Sequence, residues 1–151
     1  MNPVIQNRRA RFAYHLEDFF TAGLQLYGTE VKSLREGKGN LSDSYCYIHD
    51  SGELWIKNLH IAEFRLGTHS NHLPLRERKL LLKKNELVKI QKALKDVGTT
   101  VVPLKLYFSP RGWAKLEIAL AKGKKLHDKR ATEKEKEWDR DKQRIMKNNF
   151  D

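Results

Sequence analysis

Two alternating stretches decide the fold: TTVVPLKLYF at residues 99–108 and WAKLEIAL at residues 113–120, joined by SPRG at residues 109–112. Apolar and polar side chains alternate in both, so each strand turns one face toward a core. Pro103 lacks the N–H that a strand ladder needs, and it indicates an edge or a bulge in the first strand. The two stretches predict a long antiparallel hairpin that closes the domain.

Shorter stretches of strand character precede this hairpin at residues 11–16, 20–26, 44–49 and 53–59. Gly23 indicates a bend or bulge in the second of them. The last two are separated by DSG, which is typical of a hairpin turn. Roughly six short antiparallel strands favour a small closed or partly closed barrel, an architecture that often binds oligonucleotides on an exposed face.

A short helix is predicted over residues 30–35, with Thr29 as its N-cap and Gly37 as its stop. Val31 and Leu34 lie three apart and share the face that packs inward. The other positions are expected to lie mostly outward: Glu30, Lys32, Ser33 and Arg35.

Two further helices are predicted before the long hairpin, which makes about three in all. Pro74 fits the first turn of one that runs through Leu80–Leu82. Asn85 is expected to cap the other, and Gly98 to end it. Four apolar residues repeat at helical spacing along this last helix: Leu87, Ile90, Leu94 and Val97.

The charge of the chain indicates a phosphate-rich partner. It has 151 residues and a net charge of +11, with a pI near 9.8, which fits one domain with appendages. Residues 122–151 hold 11 Lys and Arg against 7 Asp and Glu, so residues 1–121 carry +7 of the total. The globular part therefore needs a basic face of its own. The alternative on charge alone is a basic protein with no such partner.

Cysteine usage and hydropathy indicate a cytoplasmic protein. Cys46 is the single cysteine, so no intrachain disulfide forms, and it is expected to be a small buried apolar side chain. No N-terminal run resembles a signal peptide, and no stretch approaches the roughly 20 apolar residues of a membrane span. We expect a monomer in the reducing cytoplasm with no membrane partner.

The C-terminal segment, residues 123–151, is predicted to be a basic tail that becomes helical conditionally. It opens within KGKKLHDKR at residues 122–130, and 14 of the 20 residues from 128 to 147 are charged. TEKE at residues 132–135 fits a capping box. Few apolar side chains are available to offset the ordering entropy, so a partner is needed to fold the tail. The basic residues indicate that this partner is a large polyanionic surface.

Several strings, read in order, resemble the SsrA-binding proteins, the SmpB family of bacteria. They are GTEVKSLR at 28–35, GKGN at 37–40, SDSY at 42–45, RKLLL at 78–82, AKGKKLHDKR at 121–130 and DKQRIMK at 141–147. The resemblance implies an RNA-binding adaptor without catalysis or cofactors. It would bind the tRNA-like domain of transfer-messenger RNA (tmRNA) and deliver it to stalled ribosomes for trans-translation, which rescues the ribosome and tags the stranded peptide.

The same resemblance implies a mainly β fold with short helices, an OB-fold-like antiparallel β-barrel. Residues 1–8 would form an N-terminal arm, residues 9–122 the RNA-binding barrel and residues 123–151 the tail. The tail would enter the vacant mRNA channel of the ribosome, near the decoding site. The alternative is a constitutive ribosomal or ribosome-assembly protein that binds rRNA through a barrel and a basic extension.

The predicted RNA-binding residues combine cations, amides and a helix followed by a glycine-rich turn. Such a set suits phosphate and 2′-hydroxyl contacts, and His127 can stack on an unpaired base. Glu30 is expected to accept from a base edge or ribose, or to orient Lys32. The alternative for these residues is a role without RNA: a solvent-exposed surface helix, a solvent-exposed N-terminal arm, and lysines that prevent pairing at strand edges. The set is Arg8, Arg9, Arg11, Glu30, Lys32, Ser33, Arg35, Lys38, Asn40, Lys79, Lys83, Asn85, Lys105, Lys115, Lys124, Lys125, His127, Lys129 and Arg130.

The tail residues predicted to contact the ribosome are cations and the few apolar side chains of that segment. The apolar ones are anchors if the tail becomes helical in the ribosome, or else a small contact on the barrel. The set is Lys134, Lys136, Trp138, Lys142, Arg144, Ile145, Met146 and Lys147.

Enzyme activity is not expected. His69 and His72 lie three apart, but no cysteine or third histidine completes a metal set, and there is no glycine-rich phosphate loop. Glu17 and Asp18 are adjacent, so on a strand they face opposite sides. We expect no metal site and no catalytic residue.

Overall fold

The structure is a computed structural model that describes residues 3–67 and 71–123, apart from the Arg11 side chain. Strands dominate, with two helices and one four-residue helical turn. The elements are β1 (Ile5–Gln6), α1 (Ala10–Ala13), β2 (Tyr14–Leu24), α2 (Gly28–Arg35), β3 (Gly39–Asn40), β4 (Tyr45–Ile48), β5 (Leu54–Lys57), β6 (His60–Ile61), β7 (Arg78–Leu81), α3 (Lys84–Ala93), β8 (Thr99–Phe108) and β9 (Ala114–Gly123).

Hydrogen bonding between strands closes the main sheet into a barrel. The order is β8-β4-β5-β7-β2-β9, and β9 pairs again with β8, so the ring has no open end. Every pairing is antiparallel. β1, from the predicted arm at residues 1–8, adds to β8, while β3 and β6 form a separate two-stranded sheet. The expectation of a mainly β, OB-fold-like barrel is confirmed.

The long hairpin forms as predicted, and its register explains the proline. Pro103 pairs with Ile118 and Lys105 with Glu117, so one extra residue of β8 is accommodated as a bulge beside the proline. The bulge expected at Gly23 lies instead between Leu16 and Phe19. Gly23 has a different role, because a Cβ there would lie 3.3 Å from the Leu81 Cβ of neighbouring β7.

Two sequence expectations, one near the start of the barrel and one before α3, are wrong in part or in full. The strand expected over residues 11–16 begins only at Tyr14, because residues 11–13 belong to the α1 turn, and it continues to Leu24 as the single strand β2. The helix expected from Pro74 is also absent, since residues 78–81 form β7 between β5 and β2. Arg78 and Leu80 point inward and Leu81 outward, a period of two that a leucine run conceals.

Helix α3 is shorter than predicted and begins differently. Asn85 lies inside the first turn, and the N-cap is Lys83, whose N–H donates to the Glu86 carboxylate at 3.1 Å. The helix ends at Ala93, which leaves Val97 in a fully exposed turn. In α2 the N-cap is Tyr27 rather than Thr29, although Gly37 ends the helix region with a φ of +78°, as expected of a C-terminal glycine.

The core fills the barrel, and β8 and β9 are buried on both faces. Leu54, Ile56, Leu116 and Ile118 have no exposed surface. A smaller cluster lies on the other face of β8 and β9, where Ala10 of α1 covers them. Cys46 is buried as expected, and burial raises the pKa of its thiol. No helix in the described residues is long and apolar enough to cross a membrane.

Ile90 fastens α3 to the barrel, since it is the fully buried residue of that helix. We expect Ile90→Ala to lower the free energy of unfolding by about 2–5 kcal/mol. The variant loses buried apolar surface and leaves a cavity that the neighbouring side chains fill only in part. Urea denaturation followed by circular dichroism measures it. Val97→Ala is the matched control, because its side chain is fully exposed and the change should stay within about 0.5 kcal/mol. Equal effects from the two variants would contradict this role of Ile90.

Candidate nucleic-acid interface

Helix α2 is held by a buried carboxylate. Glu30 has no exposed surface, and its Oε1 accepts from the Tyr27 N–H at 2.8 Å and from Arg76 Nη2 at 2.5 Å. Its Oε2 accepts from Nε of Arg78, which is also fully buried. Ser33 is buried one turn later and donates to the carbonyl of Ala62 at 2.7 Å. The expectation that Glu30 and Ser33 lie outward is therefore wrong.

The arginines keep Glu30 ionised. Burial alone would raise the pKa of Glu30, but hydrogen bonds from Arg76, the Tyr27 N–H and Arg78 outweigh burial and hold the pKa below its ordinary value. Burial lowers the pKa of Arg78, and Glu30 opposes that shift. Both Glu30 oxygens are engaged inside the protein, so this carboxylate is structural and does not face a ligand.

Lys32 and Arg35 lie on the outer side of the same helix. Both are exposed, and each rests on an aromatic ring: Lys32 Nζ is 5.5 Å from the Phe64 centroid and the Arg35 guanidinium carbon is 5.4 Å from the Phe108 centroid. Cation–π contacts of this kind restrain long side chains while their charge stays in water. α2 thus presents two positioned cations.

The turn after α2 adds weaker candidates. Lys38 is exposed, and its ammonium lies 3.2 Å from the Glu36 carboxylate, which also pairs with Arg65 at 3.9 Å. Exposed pairs of this kind are worth about 0–1 kcal/mol, so phosphate can compete for these cations. Asn40 is exposed, and its Oδ1 accepts from the Ser42 N–H at 2.8 Å.

The remaining predicted barrel residues are spread over several elements. Arg8 and Lys105 line one depression of about 450 Å³, where Lys105 pairs with Glu117 at 3.4 Å. Arg9 is exposed in a neighbouring depression, and Arg11 lies in α1. The other four lie on β7, β9 and α3. Lys79 pairs with Glu53, Lys115 is half-buried on β9, and Lys83 and Asn85 are exposed at the N-cap and in the first turn of α3.

Three residues near this surface were missed by the sequence interpretation. Arg76 stacks on Tyr27, its guanidinium carbon 4.1 Å from the ring centroid, while it also holds Glu30. Arg111 is exposed and Trp113 is 68% exposed, beside the turn that joins β8 and β9. A tryptophan two residues from an arginine beside a predicted hairpin turn was the available signal, since tryptophan is enriched at interfaces.

The rest of the predicted set lies outside the described residues. This applies to Lys124, Lys125, His127, Lys129 and Arg130, and to every tail residue predicted to contact the ribosome. His69 is also outside them. His72 is buried, with its ring nitrogens 2.9 Å from Thr29 Oγ1 and from the Ile61 carbonyl. Within residues 3–67 and 71–123, no group of His, Cys, Asp and Glu is arranged to hold a metal ion.

Comparison with known proteins decides the family. The sequence profile of the SmpB protein matches residues 4–148. The chain belongs to the SmpB family. The resemblance seen in the strings from residue 28 to residue 147 is thus confirmed.

Individual SmpB relatives match along almost their whole length. The SsrA-binding protein of Wolbachia pipientis wMel is 52% identical over 150 residues, which cover 99% of this chain and 100% of that one. The SsrA-binding protein of Agrobacterium fabrum is 54% identical over 146 residues, 97% of this chain and 91% of its own. A chain of the structure described as "tmRNA-SmpB: a journey to the center of the bacterial ribosome" matches with a TM-score of 0.68 at 47% identity, over 82% of this chain and 86% of that one.

The buried cluster of this SmpB protein makes a prediction about stability. Glu30→Gln leaves the Arg78 charge buried without a carboxylate, so we expect unfolding to become easier by about 3–5 kcal/mol at pH 7. Because the folded pKa of Glu30 is lowered, its contribution is present above the unfolded value of about 4.3 and is lost as pH falls through the folded value. The difference between wild type and variant should therefore shrink below about pH 4. Urea denaturation from pH 7 to pH 3 measures it.

Glu36→Gln is the matched control for Glu30→Gln. Glu36 is the C-cap of the same helix and pairs with Lys38 at the surface. Its replacement should change the unfolding free energy by no more than about 0.5 kcal/mol at any of these pH values. A Glu30→Gln protein as stable as Glu36→Gln would refute the structural role.

Proposed function

We propose that this protein is the RNA-binding adaptor of trans-translation, which binds the tRNA-like domain of tmRNA and delivers it to stalled ribosomes. The observation that carries the proposal is the outer side of α2, where Lys32 and Arg35 each rest on an aromatic ring. The buried contact between Glu30 and Arg78 fixes the position of this helix. The names of its relatives, SsrA-binding protein, support the same partner.

Positioned cations suit recognition of a folded RNA. Folded RNA is recognised largely through phosphates, 2′-hydroxyls and shape, so the positions of the charges matter as well as their number. Lys32 and Arg35 lose less side-chain freedom on binding than unrestrained cations would, because each already rests on a ring. Arg65, Lys38 and Arg111 extend the charge around α2 and the β8–β9 turn.

The other predicted residues have separate roles in this proposal. Arg8 and Arg9, between β1 and α1, extend the basic surface together with Lys105 on β8 and Lys115 on β9. Arg11 follows them in the sequence and is assigned to the same RNA contact. The basic stretch at residues 122–130 continues the RNA contact, and residues 131–151 contact the ribosome. Glu30 and Ser33 support the surface from beneath rather than touching RNA. The adaptor acts in the cytoplasm, and its role is binding rather than catalysis.

The alternative, a constitutive ribosomal or assembly protein, differs in its bound RNA. An adaptor should be recovered mainly with tmRNA and in amounts well below ribosomes. A constitutive protein should be recovered with rRNA at near-equal stoichiometry. Pull-down of the full chain from its own cells, followed by sequencing of the RNA, separates the two.

The two stacked cations should set the salt dependence of RNA binding. Replacing Lys32 and Arg35 together with Gln keeps much of each stem but removes two charges, so binding to the tRNA-like RNA should weaken. The slope of log K against log salt should fall by roughly 0.7–0.9 for each phosphate that is no longer neutralised. Filter binding or fluorescence anisotropy between about 50 and 200 mM salt measures it.

A matched double variant removes the same charge elsewhere. Lys57 and Lys89 are exposed, pair with Glu77 and Asp18, and lie on β5 and α3. Their replacement by Gln should leave the salt slope almost unchanged. If the two double variants behave alike, the phosphate contacts lie away from α2.

Shortening the chain should separate RNA binding from ribosome contact. A chain ending at Arg130 should bind the tRNA-like RNA within about twofold of wild type, because it keeps the basic stretch. A twofold change corresponds to less than about 0.5 kcal/mol of binding free energy. It should support no peptide tagging in a reconstituted stalled-ribosome assay. A chain ending at Lys147 is the control and should tag normally. Large loss of RNA affinity on ending the chain at Arg130 would overturn this division.

A further inference from the structure

A shallow polar pocket opens beside the small sheet of β3 and β6. It has a volume of about 560 Å³ and is lined by Asn40, Asp43, Asn58, His60 and Leu75. Asn40 and His60 are directly opposite each other in the antiparallel pair, so their side chains share one face. None of the cations predicted to bind RNA lines it.

The polar groups of this pocket are uncommitted. Within the described residues, the side chains of Asp43, Asn58 and His60 have no hydrogen-bond or ion-pair partner. The Oδ1 of Asn40 accepts from the Ser42 N–H at 2.8 Å, which orients the amide and leaves its NH₂ group to donate. In the described part of the chain the Asp43 carboxylate has no cationic partner, although the net charge is +11. It is therefore available to accept hydrogen bonds from the neutral donors of a ligand.

The backbone at Asn58 adds an independent observation. Its φ of +63° is the one left-handed value of a non-glycine among the described residues. Glycine adopts this conformation without cost, whereas a residue with a Cβ adopts it at a cost that asparagine reduces but does not remove. Unfavourable backbone conformations that persist are concentrated where a side chain is needed for binding. The left-handed turn between β5 and β6 thus places an asparagine, with its side-chain amide, at the edge of the pocket.

We propose that this pocket binds one unpaired guanine of the RNA partner. The proposal rests on the RNA-binding function proposed above and adds a base-specific site to it. Guanine presents two adjacent donors, N1–H and N2–H₂, which match the two acceptor oxygens of Asp43. Its O6 and N7 accept hydrogen bonds, and the amides of Asn40 and Asn58 donate them. Adenine places an acceptor, N1, where the carboxylate needs a donor.

The surroundings suit an unpaired nucleotide rather than a free metabolite. His60 and Leu75 supply a ring and an apolar side chain against which a base can lie. Asp43 also lines the adjoining depression, where Arg9 is exposed and Tyr45 is 41% exposed. A guanidinium there neutralises the adjacent phosphate, and an exposed tyrosine stacks on the neighbouring base. The RNA strand would thus pass from one depression to the other.

The direct test uses mononucleotides on the full-length, isotope-labelled protein. GMP, AMP, CMP and UMP share the phosphate, so differences among them report the base. We expect GMP to shift the side-chain amide signals of Asn40 and Asn58 and the ring signals of His60. Half-maximal change should come at a concentration at least fivefold lower than for AMP. Equal responses to the four nucleotides, or shifts only outside this pocket, would overturn the proposal.

Two variants separate base binding from folding. Asp43→Asn keeps the size of the side chain but replaces an acceptor with a donor, so the preference for GMP should disappear. Asn58→Gly removes the amide and relieves the left-handed backbone, so GMP binding should weaken at least fivefold while the melting temperature does not fall. Asp50→Asn is the control, because Asp50 is exposed in the β4–β5 turn and should keep the preference. Retained preference in both pocket variants overturns the proposal.

Binding of Asp43→Asn to two partners locates the guanine. At least fivefold loss of affinity for the tRNA-like RNA places it there, and loss for the ribosome alone places it in rRNA. No loss for either overturns the site. If the wild-type protein binds the tRNA-like RNA but shows no preference for GMP, the guanine site is refuted and the proposed adaptor function is retained. If the wild-type protein binds neither RNA, the adaptor function itself is refuted.

Discussion

The ion cluster of Glu30 with Arg76 and Arg78 is the contact on which the binding surface depends. Arg78 donates to Glu30 and also to the carbonyls of Leu59, at 2.6 Å, and Pro74, at 3.2 Å. One guanidinium therefore connects α2, the segment between β5 and β6 and the chain that enters β7. A buried ion pair of this kind is seldom worth more than an apolar contact of the same size, but it is costly to break. Its effect is to fix geometry.

That geometry separates the charges by role. Glu30 and Arg78 are buried and neutralise each other, whereas Lys32 and Arg35 on the same helix face outward over Phe64 and Phe108. Several other surface lysines lie near carboxylates on or beside neighbouring strands, and these exposed pairs offset part of their charge. The two outward cations of α2 are restrained by aromatic rings instead of acids, which leaves their charge available to a ligand.

The sequence predicted the closing hairpin because alternation and the position of Pro103 are local signals. It did not predict β7, since Arg78 with Leu80 forms an inward face only once its arginine has a buried carboxylate partner, and that partner is 48 residues away in the chain. Glu30 was misplaced for the same reason. In a basic stretch an acid looks like a ligand contact, and pairing across the fold cannot be read from spacing. Helical periodicity placed all four polar positions of α2 outward and was right for Lys32 and Arg35, which have no buried partner among the described residues that turns them toward the core.

Rigid cations and a polar pocket supply different parts of recognition. Contacts to phosphate set affinity and orientation but carry no sequence information, so the α2 surface by itself would accept many folded RNAs. The pocket beside β3 and β6 has groups that can distinguish base edges, and β3 follows α2 after a short turn. Because Arg78 binds the Leu59 carbonyl, next to Asn58 and His60, the cluster that positions α2 also holds one wall of the pocket. Affinity and base selectivity would then depend on the same buried contact, and weakening it would impair both together.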